Sequence, residues 1–157
     1  MIIHTDHMKA ALIALPLVLA LAAAPLASAE EAPDPQIAST VASFHDALKK
    51  GDRAAVMALL APDAQILEGG HAESREEYEK GHLAADIEFT QAVASTRENV
   101  VARQEGSAAW VTSSSRVSGS FKGRDVNSAG AELIVLTKTP EGWRIRAIHW
   151  SSHAVKK

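Results

Sequence analysis

The chain has 157 residues, no cysteine, and a formal net charge of −3 at pH 7. Without cysteine it forms no disulfide, has no thiolate to use in chemistry, and offers no thiol for a lipid anchor. So mild an acidic balance supplies no basic face, and nucleic acid is not an expected partner.

The first element is an export signal. Lys9, with His4 and His7 before it, precedes an unbroken run of Ala, Leu, Ile, Val and one Pro from Ala10 to Ala24. Ala27-Ser28-Ala29 follows as a small-x-small cleavage pattern, so residues 1–29 read as a cleavable signal peptide. The apolar run is short of the roughly 20 residues that cross a bilayer, and Pro16 and Pro25 interrupt it. The expected location is periplasmic or secreted, with no membrane attachment after cleavage. Residues 30–36 read as a disordered leader, 37–153 as one folded domain and 154–157 as a tail.

The spacing of Ile37, Val41, Phe44 and Leu48 predicts a helix from about Pro35 to Lys50 with one apolar face. Gly51 stops it, and Asp52 caps a second, shorter helix over 53–60. Pro62-Asp63 leads into a short strand at 64–68, which Gly69-Gly70 breaks. Ser74-Arg75-Glu76-Glu77 is a capping box opening a third helix, about 75–85, with Tyr78, His82 and Ala85 on one face. From about Glu88 the period changes to that of strands, expected near 91–104, 107–121, 124–138 and 142–153. Helices followed by strands imply α+β, with the helices on one face of an antiparallel sheet.

Three stretches carry a family resemblance. They are Phe44–Asp52 continuing to Leu59-Leu60-Ala61-Pro62-Asp63-Ala64, then Ser74-Arg75-Glu76-Glu77-Tyr78, and last Gly142-Trp143-Arg144-Ile145 ending in His149-Trp150-Ser151-Ser152. Their order resembles the SnoaL-like branch of the nuclear transport factor 2-like superfamily. That resemblance implies a cone-shaped fold, three N-terminal helices on a curved antiparallel sheet, with a cavity between them. It also implies pairing into a homodimer through the sheet. The superfamily holds isomerases, dehydratases, cyclases and non-catalytic binders, so fold alone leaves function open.

Alternation along the last strand puts Trp143, Ile145, Ala147, His149 and Ser151 on one face, which the resemblance makes the cavity face. Phe44, Leu48, Tyr78, Trp110, Trp143 and Ile145 are the candidate pocket-lining residues, with ordinary core as the alternative for Trp110. Trp150 and Ile148 are then expected on the outer face, as a dimer patch. Candidate acid–base groups are His149, His82 and Glu68. The last stands near the place of the ketosteroid isomerases' general base, although the first helix offers no Tyr to accompany it. His71, His82 and His149 are candidates for a metal, since imidazole suits Zn²⁺ or Cu²⁺. His149 and His153, four apart on a strand, stand about 13 Å apart and cannot share an ion there. No cofactor is called for. The leading expectation is a domain that binds a small hydrophobic or polar organic ligand. The alternatives are a small lyase or isomerase, and histidine-based metal binding.

Overall fold

The structure, a computed structural model, describes residues 32–156. The expected signal peptide lies outside them, as do residues 30 and 31 of the expected leader. Helix α1 spans Pro35–Lys50. Asp34 caps it by accepting from the Gln36 N–H, and Pro35 sits in the first turn, where a missing N–H costs nothing. Helix α1 and its cap therefore begin inside the stretch expected as leader. Its Asp-Pro pair is a helix start rather than a linker. Ile37, Val41, Phe44 and Leu48 are all buried, as their spacing requires. Burying each such side chain is worth about 1.5–3 kcal/mol. Gly51 ends α1 in the left-handed region at φ 73°.

Asp52 caps α2, Arg53–Leu59, and Leu60 starts β1, Leu60–Glu68. Gly69 and Gly70, both at positive φ, make the two-residue turn to β2, His71–Ser74. The glycine pair thus forms a hairpin and not merely a break. The capping box opens α3, Arg75–Lys80, but Gly81 leaves helical geometry at φ −111°, ψ −96°. A separate α4, His82–Ala92, follows. The expected third helix is therefore two helices, and the second runs beyond the expected end at residue 85.

The remaining strands are β3, Val93–Glu105; β4, Ala108–Phe121; β5, Arg124–Thr139; and β6, Gly142–Ala154. They and the hairpin form one curved six-stranded sheet in the order β2-β1-β6-β5-β4-β3. The expected α+β class holds. Every pairing is antiparallel except β1 with β6, which is parallel because the chain crosses over between them. One sheet face carries the helices and the core. Tyr78 and Leu83 join the α1 stripe there, against Val111, Ile134, Leu136, Trp143, Ile145 and Ile148.

Two bulges decide which side chains face the helices. In β3, Asn99 (φ 53°) and Val100 together oppose Ser113. In β6, Ile145 pairs with Leu136 and Ala147 with Val135, leaving Arg146 as the extra residue. Beyond Arg146 the alternation is re-phased. Ile148 and Trp150 turn inward, and Ala147 and His149 turn outward.

Candidate functional site

A hollow of about 350 Å³ lies between the sheet and helices α1 and α4. His45 and Leu48 reach it from α1, and Asp86, Phe89 and Thr90 from α4. The strands complete the lining. Leu48, Phe89, Val117 and Trp150 form apolar wall, while Ser95, Ser113, Ser115 and Ser128 present hydroxyls.

Glu132, in the middle of β5, organises this hollow. Its carboxylate meets His45 Nε2 at 2.9 Å and accepts from Trp150 Nε1 at 2.7 Å, Ser113 Oγ at 3.1 Å and Arg97 Nη2 at 3.2 Å. Strand register puts Ser113 and Trp150 directly opposite Glu132 on its two neighbours. α1 adds His45 and β3 adds Arg97. The Glu132 side chain is only 9 % exposed. Burial alone would raise its carboxyl, but the bond and charge of His45, the Trp150 bond and the Arg97 charge outweigh that and hold it at about 2. Glu132 is therefore an ionised acceptor. Since an ionised carboxylate only accepts, His45 Nε2 must carry its hydrogen. The other ring nitrogen, Nδ1, has no partner among the described residues. Arg97 Nε is also buried without a partner among them. Phe44 stacks on Trp150 with ring centroids 6.3 Å apart and meets the His45 ring edge-on.

A smaller hollow, about 210 Å³, adjoins the β1–β2 hairpin. Ile66, Glu68, His71, Glu73, Tyr78, His82 and Asp86 line it, and Glu68 and Asp86 line both hollows. The Tyr78 hydroxyl donates to Asp86 Oδ2 at 2.8 Å. Burial, with Asp86 beside it, pushes the Tyr78 phenol far above its ordinary value, so it stays a neutral donor. Burial also raises the Asp86 carboxyl. Burial and then Asp86 raise that of Glu68. His82 Nδ1 lies 2.7 Å from Glu73 Oε2, and that carboxylate raises the imidazole.

The candidates from the sequence fall into three groups. Glu68, Tyr78, His71 and His82 share the smaller hollow, and Leu48 lines the larger one. Phe44, Trp143 and Ile145 are buried core rather than exposed lining, and Trp143 Nε1 donates to Asp34 at 3.0 Å. His149 and Trp110 lie on the outer face, exposed. The bulge at Arg146 is the reason for His149: its neighbours across the ladder are Leu67 and Leu133, not the Ile66 and Glu68 of the inner face. His82 and His149, two of the candidate acid–base groups, are therefore separated by the sheet. The His71–His82–His149 set is split in the same way. Among the described residues, no group of three or more His, Asp or Glu side chains is arranged to hold a metal.

A model of the SnoaL-like domain matches residues 37–155. The chain belongs to the SnoaL-like family. Among solved structures, a candidate ketosteroid isomerase from Shewanella frigidimarina NCIMB 400 is 36% identical, with a TM-score of 0.69 over 72% of this chain and 92% of that one. A candidate dehydratase of the nuclear transport factor 2-like family from Streptomyces avermitilis is 18% identical, with a TM-score of 0.65 over 78% and 95%. The CaMKII hub of S. rosetta is 17% identical, with a TM-score of 0.68 over 80% and 100%. The last two likenesses concern the fold. A comparison with curated proteins finds no match.

In this SnoaL-like domain the sequence reading missed Glu132, His45, Arg97, Asp86 and the inward Trp150. Two signals were present. Glu132 is the one charge in the run from Ser128 to Leu136, and the serines at 113–115 are too polar for a core strand. A lone carboxylate in an apolar strand, with a serine run on its neighbour, marks a buried polar contact.

Proposed function

We propose that this SnoaL-like domain binds a small organic molecule in the larger hollow, in the periplasm or outside the cell. The observation that carries the reading is the hollow itself, lined by apolar side chains and hydroxyls together, with a charged network fixed at Glu132. Such a lining suits a ligand with a ring or aliphatic body and a few oxygens. Fluorine NMR with a library of fluorinated fragments tests it. Fragments should bind wild type in competition with one another and lose binding in Ser95→Trp, which fills the hollow from an exposed strand position. Fragments that bind both proteins equally would refute the hollow as the site. Export is tested by the mass of the protein recovered from the periplasm, expected to begin at Glu30.

A second reading is an isomerase. It is favoured by Glu68, whose carboxyl is raised and unpartnered among the described residues, and by the likeness to the Shewanella candidate isomerase. The domain also pairs with a second copy through the outer sheet face. There Val101, Trp110 and Leu133 are exposed, with no helix over them among the described residues. This patch replaces the one expected from Trp150 and Ile148, which face inward.

A further inference from the structure

We propose that His45 is the proton-transferring residue of the larger hollow, acting through Nδ1 on a bound carbon acid, with Glu132 as its positioning residue. The proposal rests on the ligand-binding reading above. It moves the chemistry from the candidates drawn from the sequence to an imidazole fixed by its environment.

Three observations support it. First, Glu132 receives donors from four elements, so it is held in place and has no lone pair to spare for a ligand. Second, its ionised carboxylate keeps the hydrogen on His45 Nε2 in either charge state of the ring. That leaves Nδ1, which has no partner among the described residues, as the nitrogen able to accept a proton. Third, the ring lines the hollow and is 26 % exposed, so Nδ1 is not sealed off. A fixed carboxylate behind an imidazole whose far nitrogen is open is the arrangement a general base needs. The titratable and charged groups facing the same hollow are Glu132, Arg97, Glu68 and Asp86. Glu68 lines it from the end of β1 and Asp86 from α4. Protonated, either can donate to a carbonyl oxygen as the adjacent C–H proton passes to Nδ1 and the electron pair moves into the enol.

The test uses 5-nitrobenzisoxazole, a probe that needs only a base. Its C–H proton passes to the base, the ring N–O bond breaks, and the electron pair ends as a phenolate beside a new nitrile. Binding is read separately, by quenching of tryptophan emission from Trp150. Wild type should eliminate the probe saturably, at least about tenfold faster than free imidazole at equal concentration. His45→Gln should lose about 100-fold or more. Glu132→Gln should retain some activity with its pH profile shifted, since the charge behind the ring is gone. If that variant fails to fold, His45→Gln still decides. A bound probe with no elimination, or elimination surviving in His45→Gln, overturns the proposal. In the latter case, loss in Glu68→Gln would assign the proton to Glu68. Imidazole nitrogen chemical shifts ask the same question without a ligand. Nε2 protonated throughout and Nδ1 titrating supports the proposal, and a neutral ring protonated on Nδ1 overturns it. Absence of probe binding with the expected shifts would count against the ligand-binding reading alone.

Discussion

Glu132 is the side chain on which both the site and its stability turn. Its carboxyl sits at about 2 in the fold against an ordinary 4.5. Because the folded value is depressed, the stabilisation is complete above about pH 4.5 and is lost as pH falls toward 2. At neutral pH it amounts to about 3 kcal/mol. Glu132→Gln should therefore unfold at lower urea at pH 7, by about that free energy, and lose less than wild type between pH 5 and pH 3. Asp34 is also held at about 2, by Lys138, Trp143 and the Gln36 N–H, and remains in the variant as an internal control. An equal acid loss in both proteins would show that Glu132 is not the group responsible. His149 gives the opposite expectation. It is exposed on the outer face, so His149→Ala should change stability by no more than about 0.5 kcal/mol and leave fragment binding untouched. Loss of binding in that variant would contradict the inward and outward assignment made for β6.

At the scale of elements, the signals legible in the sequence are those that act over one turn of helix or one hairpin. The α1 stripe, the Asp52 cap, the Ser74–Glu77 capping box and the glycine turns are local, and each appears where the residues put it. Gly51 is the most exacting of these positions. At φ 73° an added Cβ is strained, and it would also meet the amide end of Gln91 at 2.9 Å. That amide is the tip of a flexible side chain and can move away, so backbone strain dominates. Gly51→Ala should cost about 1 kcal/mol, read from a chemical unfolding midpoint. No change would mean that the α1–α2 corner can relax. What the sequence did not disclose is the register of long strands. A bulge is set by the pairing of two strands remote in sequence, and a run such as Trp143-Arg-Ile-Arg-Ala-Ile-His-Trp alternates plausibly in either phase. Only the burial of both Ile145 and Ile148, an odd number of residues apart, reveals the extra residue at Arg146. That single insertion carries His149 out of the site and Trp150 into it. The split at Gly81 has a similar origin: a glycine tolerated within a helical pattern is here a corner, which lets Asp86 on α4 meet Tyr78 on α3.

For the whole molecule, the order of elements was enough to recognise the fold, while the site came from contacts between β5 and three other strands and helices. The same asymmetry governs assembly. The helices cover one sheet face, and on the other Trp110, Leu133 and Val101 are exposed, each between 37% and 41%. Leu133 sits opposite Thr112, which in turn pairs with Val101, so these side chains extend across adjacent strands and do not stand singly. Contiguous apolar surface of this kind is stabilised when a second copy removes it from water. Leu133→Glu places a charge in that surface without touching the core. In a dimer it should shift the sedimentation coefficient to that of a monomer, and it should abolish the dependence of the melting temperature on protein concentration. Its effect on an isolated monomer should stay within about 0.5 kcal/mol. If wild type already sediments as a monomer at high concentration, the paired reading of this face is wrong. The inner hollow would then stand as a one-chain site, because every residue named in it comes from a single chain.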